Sequence, residues 1–244
     1  MLPPKVNILI CRDAQSVSRE AADRFVCASI KAVAEHGAFY VAIPGGSSPK
    51  GMFDLLASPD CASLVPWSKT HVFFTDERYV PHNHPDSNYK LANDMLLSKV
   101  PIPMDNVHRF RTELPLEEAA KDYERTLRDT IGGDIAFDLE ILGIGTDTHT
   151  ASLFPNSPAL DEQTRAAVPN YAADKDSWRL TLTIPALCSA QQVVIIAMGK
   201  DKAPALRDAI NTDLDIHVHP IQAIRPWSGR LLWLIDAEAA SLLS

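Results

Sequence analysis

Positive charge is in short supply in this chain. Its 23 lysines and arginines face 31 aspartates and glutamates, for a formal charge of −8. A general nucleic-acid binder needs a basic face to neutralise phosphates, so that class is set aside. Aromatic residues make up only 7% of the chain and leave little for base stacking. No apolar run approaches the ~20 residues of a membrane span. The first residues lack a charged segment followed by a long apolar one, so no export leader is expected. The four cysteines, Cys11, Cys27, Cys61 and Cys188, are far apart and form no CxxC. They read as buried free thiols in a reducing compartment, which places the protein in the cytoplasm. Neither a GxGxxG nor a Walker sequence occurs, so a nucleotide is not indicated. The pairs His82/His84 and His217/His219 lack the further ligands a metal needs, and they read as surface loops.

What is present is ordinary globular composition, with 46% hydrophobic and 22% charged residues. Apolar runs at 6–11, 39–43, 71–75, 137–142 and 192–198 read as strands, as does 229–236, which should close the sheet. The stretch 179–184 alternates apolar and polar, as a strand with one solvated face does. Helical spacing marks 16–36, stopped by Gly37, and helices are also expected over 50–56, 87–97, 116–131 and 203–210. Ser48 is placed to cap the helix that begins at Pro49. Alternating strand and helix, with no repeat and no long linker, predicts one α/β domain over 1–244. Its sheet should be mainly parallel, with helices on both faces.

Four strands run at their carboxyl ends into polar segments: 44–49, 76–78, 143–149 and 199–202. In an open parallel sheet ligands bind outside those ends, so the four segments should converge on one crevice. Gly45, Gly46 and Ser47 lie between a strand and a helix, where close backbone approach and free amides favour an anion. Arg179 and Lys202 are cations at strand ends able to pair with a phosphate. His149 is the one histidine in a glycine-bounded strand-end loop, and an imidazole can take a proton near neutral pH. Taken alone, that loop reads equally well as a helix-capping turn with Asp147 or Thr148 as the cap.

Five blocks in order carry a family resemblance: PGGSSP from Pro44, TDERYVP from Thr75 with DSN from Asp86, GIGTDTHTASLFP from Gly143, RLTL from Arg179, and GKDK from Gly199. Over residues 6–240 the chain resembles the 6-phosphogluconolactonases, of the superfamily shared with glucosamine-6-phosphate deaminases. The resemblance implies a Rossmann-like, deaminase-like fold and hydrolysis of 6-phospho-D-glucono-1,5-lactone in the oxidative pentose phosphate pathway. It implies a small sugar-phosphate lactone as partner, no cofactor and no metal. A monomer is expected, with a dimer as the alternative. It also implies that His149 is the general base, and that Asp76 and Arg78 match a loop whose arginine meets substrate oxygens; for such a base, Asp147 or Asp76 is expected to orient the imidazole. Gly45, Gly46, Ser47, Arg179 and Lys202 match the phosphate-binding positions.

Two details bear on activity. The deaminases carry a glutamate where this chain has Phe154, which cannot move protons, so deamination of an amino-sugar phosphate is the lesser alternative. The family usually has glycine where this chain has Thr148. If that position takes positive φ, a β-branched residue there is strained or forces another loop path. A non-catalytic sugar-phosphate sensor is the reading that such a disturbance would favour.

Overall fold

The computed structural model describes residues 7–133 and 135–243. The expected strand start at Val6 and the first residues read for a leader lie outside them. Seven strands form the main sheet: β1 (Asn7–Cys11), β2 (Phe39–Ile43), β3 (Thr70–Phe74), β5 (Val107–His108), β6 (Leu139–Gly143), β9 (Gln192–Ala197) and β10 (Arg230–Asp236). Their spatial order is β1-β10-β9-β6-β2-β3-β5, and every neighbouring pair is parallel. From β2 the chain builds outward through β3 to β5. It then returns to β6 on the other side of β2 and builds toward β9 and β10. The crevice between β2 and β6 is therefore the point where the direction of winding reverses.

The central strands are apolar because water reaches neither face. Val41, Ala42 and Ile43 on β2, Leu139, Ile141 and Leu142 on β6, and Val193 to Ala197 on β9 are all buried. At the margin, β1 leaves Ile8 and Ile10 exposed, so β1, outside β10, forms the edge that 229–236 was expected to supply. Helix α1 (Ala14–His36) starts two residues earlier than its apolar spacing suggests. Asp13 caps it, accepting from the Ser16 amide at 2.9 Å, and Gly37 stops it at φ 88. The other helices are α2 (Lys50–Leu56), α3 (Pro59–Ala62), α4 (Asn88–Met95), α5 (Leu116–Ile131), α6 (Ile184–Leu187) and α7 (Ala203–Asn211).

A second, antiparallel sheet joins β4 (Asp76–Arg78), β8 (Ser177–Leu182) and β7 (Ala167–Ala172) in the order β4-β8-β7. This corrects two expectations. Residues 76–78 are a short strand instead of a loop, and Arg179 belongs to this separate sheet. The predicted solvated face of 179–184 is also absent over the second half of β8, where Leu180, Thr181 and Leu182 are all buried. Thr181 can lie inside because its hydroxyl donates to the Leu182 carbonyl at 2.9 Å and accepts from the Ser152 amide at 3.2 Å. Of the cysteines, Cys61 and Cys188 are buried as expected, whereas Cys27 is exposed and Cys11 only partly covered.

Candidate active site

The four strand-end segments meet over the β2/β6 crevice. Gly45 to Ser48 follow β2, Asp76 and Arg78 follow β3, Gly143 to Gly145 and His149 to Ser152 lie at and after the end of β6, and Lys202 follows β9; together with Arg179 they line one open cleft. A larger depression of about 590 Å³ lies at the amino ends of the strands. It mixes charges of both signs around the His36–Asp138 pair, and none of the strand-end loops reaches it.

The loop after β6 is held by its own backbone. Gly145 donates to the His149 carbonyl at 2.8 Å, and Thr148 donates to the Gly145 carbonyl at 3.0 Å. The Thr150 hydroxyl ties the loop back to Gly143 at 2.9 Å. No helix follows, so the capping-turn reading does not apply; residues 150 and 153 form an isolated bridge instead. Inside this turn Asp147 Oδ1 lies 2.5 Å from His149 Nδ1. A carboxylate can only accept, so Nδ1 carries the proton and the Nε2 lone pair is left for other chemistry. Burial pushes the Asp147 carboxyl up, but the hydrogen bond and charge of His149 outweigh it and hold the group below its ordinary value. Phe154 packs against the imidazole with ring centroids 4.8 Å apart. A Cβ on residue 145 would lie 2.1 Å from Nδ1, so only glycine admits the pair.

Asp76 does not orient the imidazole. Its Oδ2 accepts from the Ser152 hydroxyl at 2.6 Å and its Oδ1 from Asn88 at 3.1 Å, which occupies both oxygens elsewhere. Asn88 in turn accepts from Arg78, whose guanidinium also donates to the Asp86 carbonyl at 3.0 Å. Asp76 thus fixes Arg78 through Asn88. Beneath them Glu77, 2% exposed, accepts from the amides of Arg78, Asn88 and Tyr89 and from the Ser87 hydroxyl. It binds β4 to the start of α4.

On the opposite wall, Ser48 does not cap α2; the cap position is Pro49, whose ring has no hydrogen-bonding group to offer. The amides of Gly46, Ser47 and Ser48 donate to no acceptor among the described residues. Gly45 packs against Asn88, and a Cβ there would lie 1.7 Å from Oδ1. Arg179 sits opposite Arg78 in the β4/β8 ladder and has no carboxylate partner among the described residues. Burial first, and the Arg78 charge next, pull its guanidinium below its ordinary value. Lys202 is largely covered, and its one ionic partner among the described residues is Asp201, at 3.7 Å. A cleft with unneutralised cations, free amides and a protonatable imidazole can hold an anion while a base works beside it.

Four residues were not singled out from the sequence. Asn88 and Ser152 lie within the quoted blocks but gave no sign that they position Asp76 and Arg78 through side-chain bonds. Glu77 also lies within a quoted block, but the sequence assigned it no role. Lys175, at the turn between β7 and β8, lines the cleft, although its local sequence is that of any polar turn.

The sequence model described as "Glucosamine-6-phosphate isomerases/6-phosphogluconolactonase" matches residues 12–233. The chain belongs to this family. A 6-phosphogluconolactonase of Synechocystis sp. is 38% identical over 248 residues, covering 99% of both chains. One of Nostoc sp. is 36% identical over 247 residues, covering 98% of this chain and 99% of that one. Among solved structures, the 6-phosphogluconolactonase of Trypanosoma brucei is similar at TM-score 0.87 and 26% identity, covering 98% of this chain and 99% of that one. A monomeric glucosamine-6-phosphate deaminase shares the fold, at TM-score 0.83 and 19% identity.

Proposed function

We infer that this protein is a lactone hydrolase that converts 6-phospho-D-glucono-1,5-lactone to 6-phospho-D-gluconate, a step of the oxidative pentose phosphate pathway. The observation that carries the reading is the Asp147–His149 pair, with Nδ1 engaged and Nε2 available, beside a cleft of unneutralised cations. The full-length similarity to named 6-phosphogluconolactonases supports the substrate.

In this reading Nε2 of His149 takes a proton from water as its oxygen bonds to the lactone carbonyl carbon. The carbonyl π electrons move onto oxygen, and Arg78 or loop amides stabilise the developing oxyanion. The tetrahedral centre then collapses and the ring C–O bond breaks. The imidazolium returns its proton to the leaving ring oxygen, which becomes a hydroxyl. Gly45, Gly46, Ser47, Arg179 and Lys202 hold the phosphate, so that remote binding energy is used to orient the ring. All the residues invoked are this chain's own, and no step calls for a metal or cofactor.

Phe154 favours hydrolysis over deamination, because the ring that packs on His149 has no proton to exchange. The test is the rate of lactone hydrolysis above its spontaneous background. His149→Ala should lower kcat by about 10²–10⁴-fold, and Asp147→Asn should also lower it, through loss of the tautomer that presents the Nε2 lone pair. Near wild-type turnover by His149→Ala removes the base from this role. Release of ammonia from glucosamine 6-phosphate would redirect the assignment to the deaminases.

A further inference from the structure

We propose that Lys175 is a further substrate-binding cation, carried at the cleft mouth on the β7–β8 turn and released from Asp174 when an anion arrives. The ligand's identity rests on the lactonase reading; the site itself rests on geometry.

The β7/β8 ladder runs from Asn170↔Arg179 through Tyr171↔Trp178 to Ala172↔Ser177, and Lys175 lies just beyond its last pair. Arg179 and Lys175 are therefore carried by one hairpin, four residues apart, and both line the cleft. The turn reverses through Asp176 at φ 44. Its base is braced on the outside, where the Tyr171 hydroxyl bonds to the Asp176 carboxylate and the Tyr171 and Trp178 rings lie 5.2 Å apart. The bracing leaves the lysine itself unconstrained. Its one ionic partner among the described residues is its neighbour Asp174, at 3.1 Å, with both side chains more than half exposed (53% and 57%). An exposed pair of this kind is weakly held, so a phosphate dianion can displace the carboxylate.

The rest of the molecule supplies the reason for such a group. With a net charge of −8 the chain as a whole repels an anion. Arg78 and Arg179 lie deeper, at the β4/β8 ladder, and Asp76 offsets part of their charge. A cation on a projecting turn meets the incoming phosphate first and adds to its hold once bound. Asp174 competes for that cation in the empty state.

The experiment is calorimetric titration with 6-phosphogluconate, and separately with inorganic phosphate, neither of which requires turnover. Lys175→Ala should raise Kd for 6-phosphogluconate by roughly three- to tenfold, as expected for one exposed charge contact, and the gap should narrow with added salt. Lys175→Arg should restore binding, and Asp174→Asn should bind more tightly than wild type. Lys31→Ala removes one positive charge from the opposite end of the sheet and controls for net charge. The proposal is overturned if Lys175→Ala binds no more weakly than Lys31→Ala, if Asp174→Asn shows no gain, or if the wild-type protein binds neither ligand. Should lactone hydrolysis show no acceleration while this Kd pattern holds, the lactonase reading falls and the Lys175 site stands.

Discussion

Thr148 occupies backbone space that a β-branched residue avoids, with φ 68, and it is only 3% exposed. The loop has therefore kept the positive-φ path expected for glycine and carried the threonine along it. Its surroundings show how. The hydroxyl lies 2.5 Å from the Asp147 carbonyl, 3.3 Å from the Val218 carbonyl and 3.3 Å from His219 Nδ1, and the Thr148 carbonyl accepts from the Ile221 amide at 3.1 Å. His219, read from sequence as plain surface, thus braces the loop that holds His149. Two variants separate strain from bracing. Thr148→Ala loses the hydroxyl bonds but keeps a Cβ at positive φ, whereas Thr148→Gly loses the same bonds and relaxes the backbone. The glycine variant should be more stable than the alanine variant by about 1–2 kcal/mol, as read by denaturant unfolding. Equal stabilities would mean that the threonine is unstrained there.

Among the elements, those that bury a largely apolar run were legible from residue pattern: β2 is apolar throughout, β9 is apolar after Gln192, β6 is broken only by Glu140, and α1 carries both spacing and stop. β7 was missed because Pro169 and Asn170 break its pattern; Asn170 is buried by donating to the Ser152 carbonyl and Ser157 hydroxyl at 2.8 and 3.0 Å. Such pairing is tertiary and leaves no trace in local sequence. The same holds in the cleft, where the motifs located the residues but did not show that Asp147, instead of Asp76, meets His149. β5, only two residues long, was also unreadable, yet it creates a titrating pair. His108 on β5 and His71 on β3 stand 3.1 Å apart, nitrogen to nitrogen. Burial pulls both imidazoles down, His108 to about 4 with help from His71. A histidine neutral in the fold but protonated in the unfolded chain withdraws stability as pH falls below its unfolded value, here 6.5, until about 4. Between pH 7 and pH 5 (about the span of that titration) the melting temperature of the wild type should therefore shift downward relative to that of His108→Gln, whose own pH slope lacks this contribution. Identical pH slopes for the two proteins would clear this pair of any part in acid sensitivity.

For the molecule as a whole the decisive residue is Glu140, in the middle of the sheet. It is fully buried on β6, and neither carboxyl oxygen has a hydrogen-bond partner among the described residues. Burial raises its pKa well above the ordinary 4.5, so the fold retains a proton that the unfolded chain releases. The sign is opposite to that of the histidines: stability declines as pH rises above 4.5 and continues to decline until the folded group ionises. Between 4.5 and 6.5 the two effects oppose each other, and above 6.5 only the carboxyl remains. Replacing it with leucine removes an unsatisfied buried polar group while keeping an apolar side chain of similar length. Glu140→Leu should therefore be more stable by about 1–3 kcal/mol, by an amount that grows from pH 5 to pH 8, roughly the range over which the carboxyl departs from its unfolded titration. Because Glu140 lies three residues before Gly143 and outside the cleft lining, kcat for the lactone should be unaffected. Chemical denaturation at several pH values measures the difference directly. A variant less stable than wild type, or a gap that does not change with pH, would show that this carboxyl has a partner in solution that satisfies its charge.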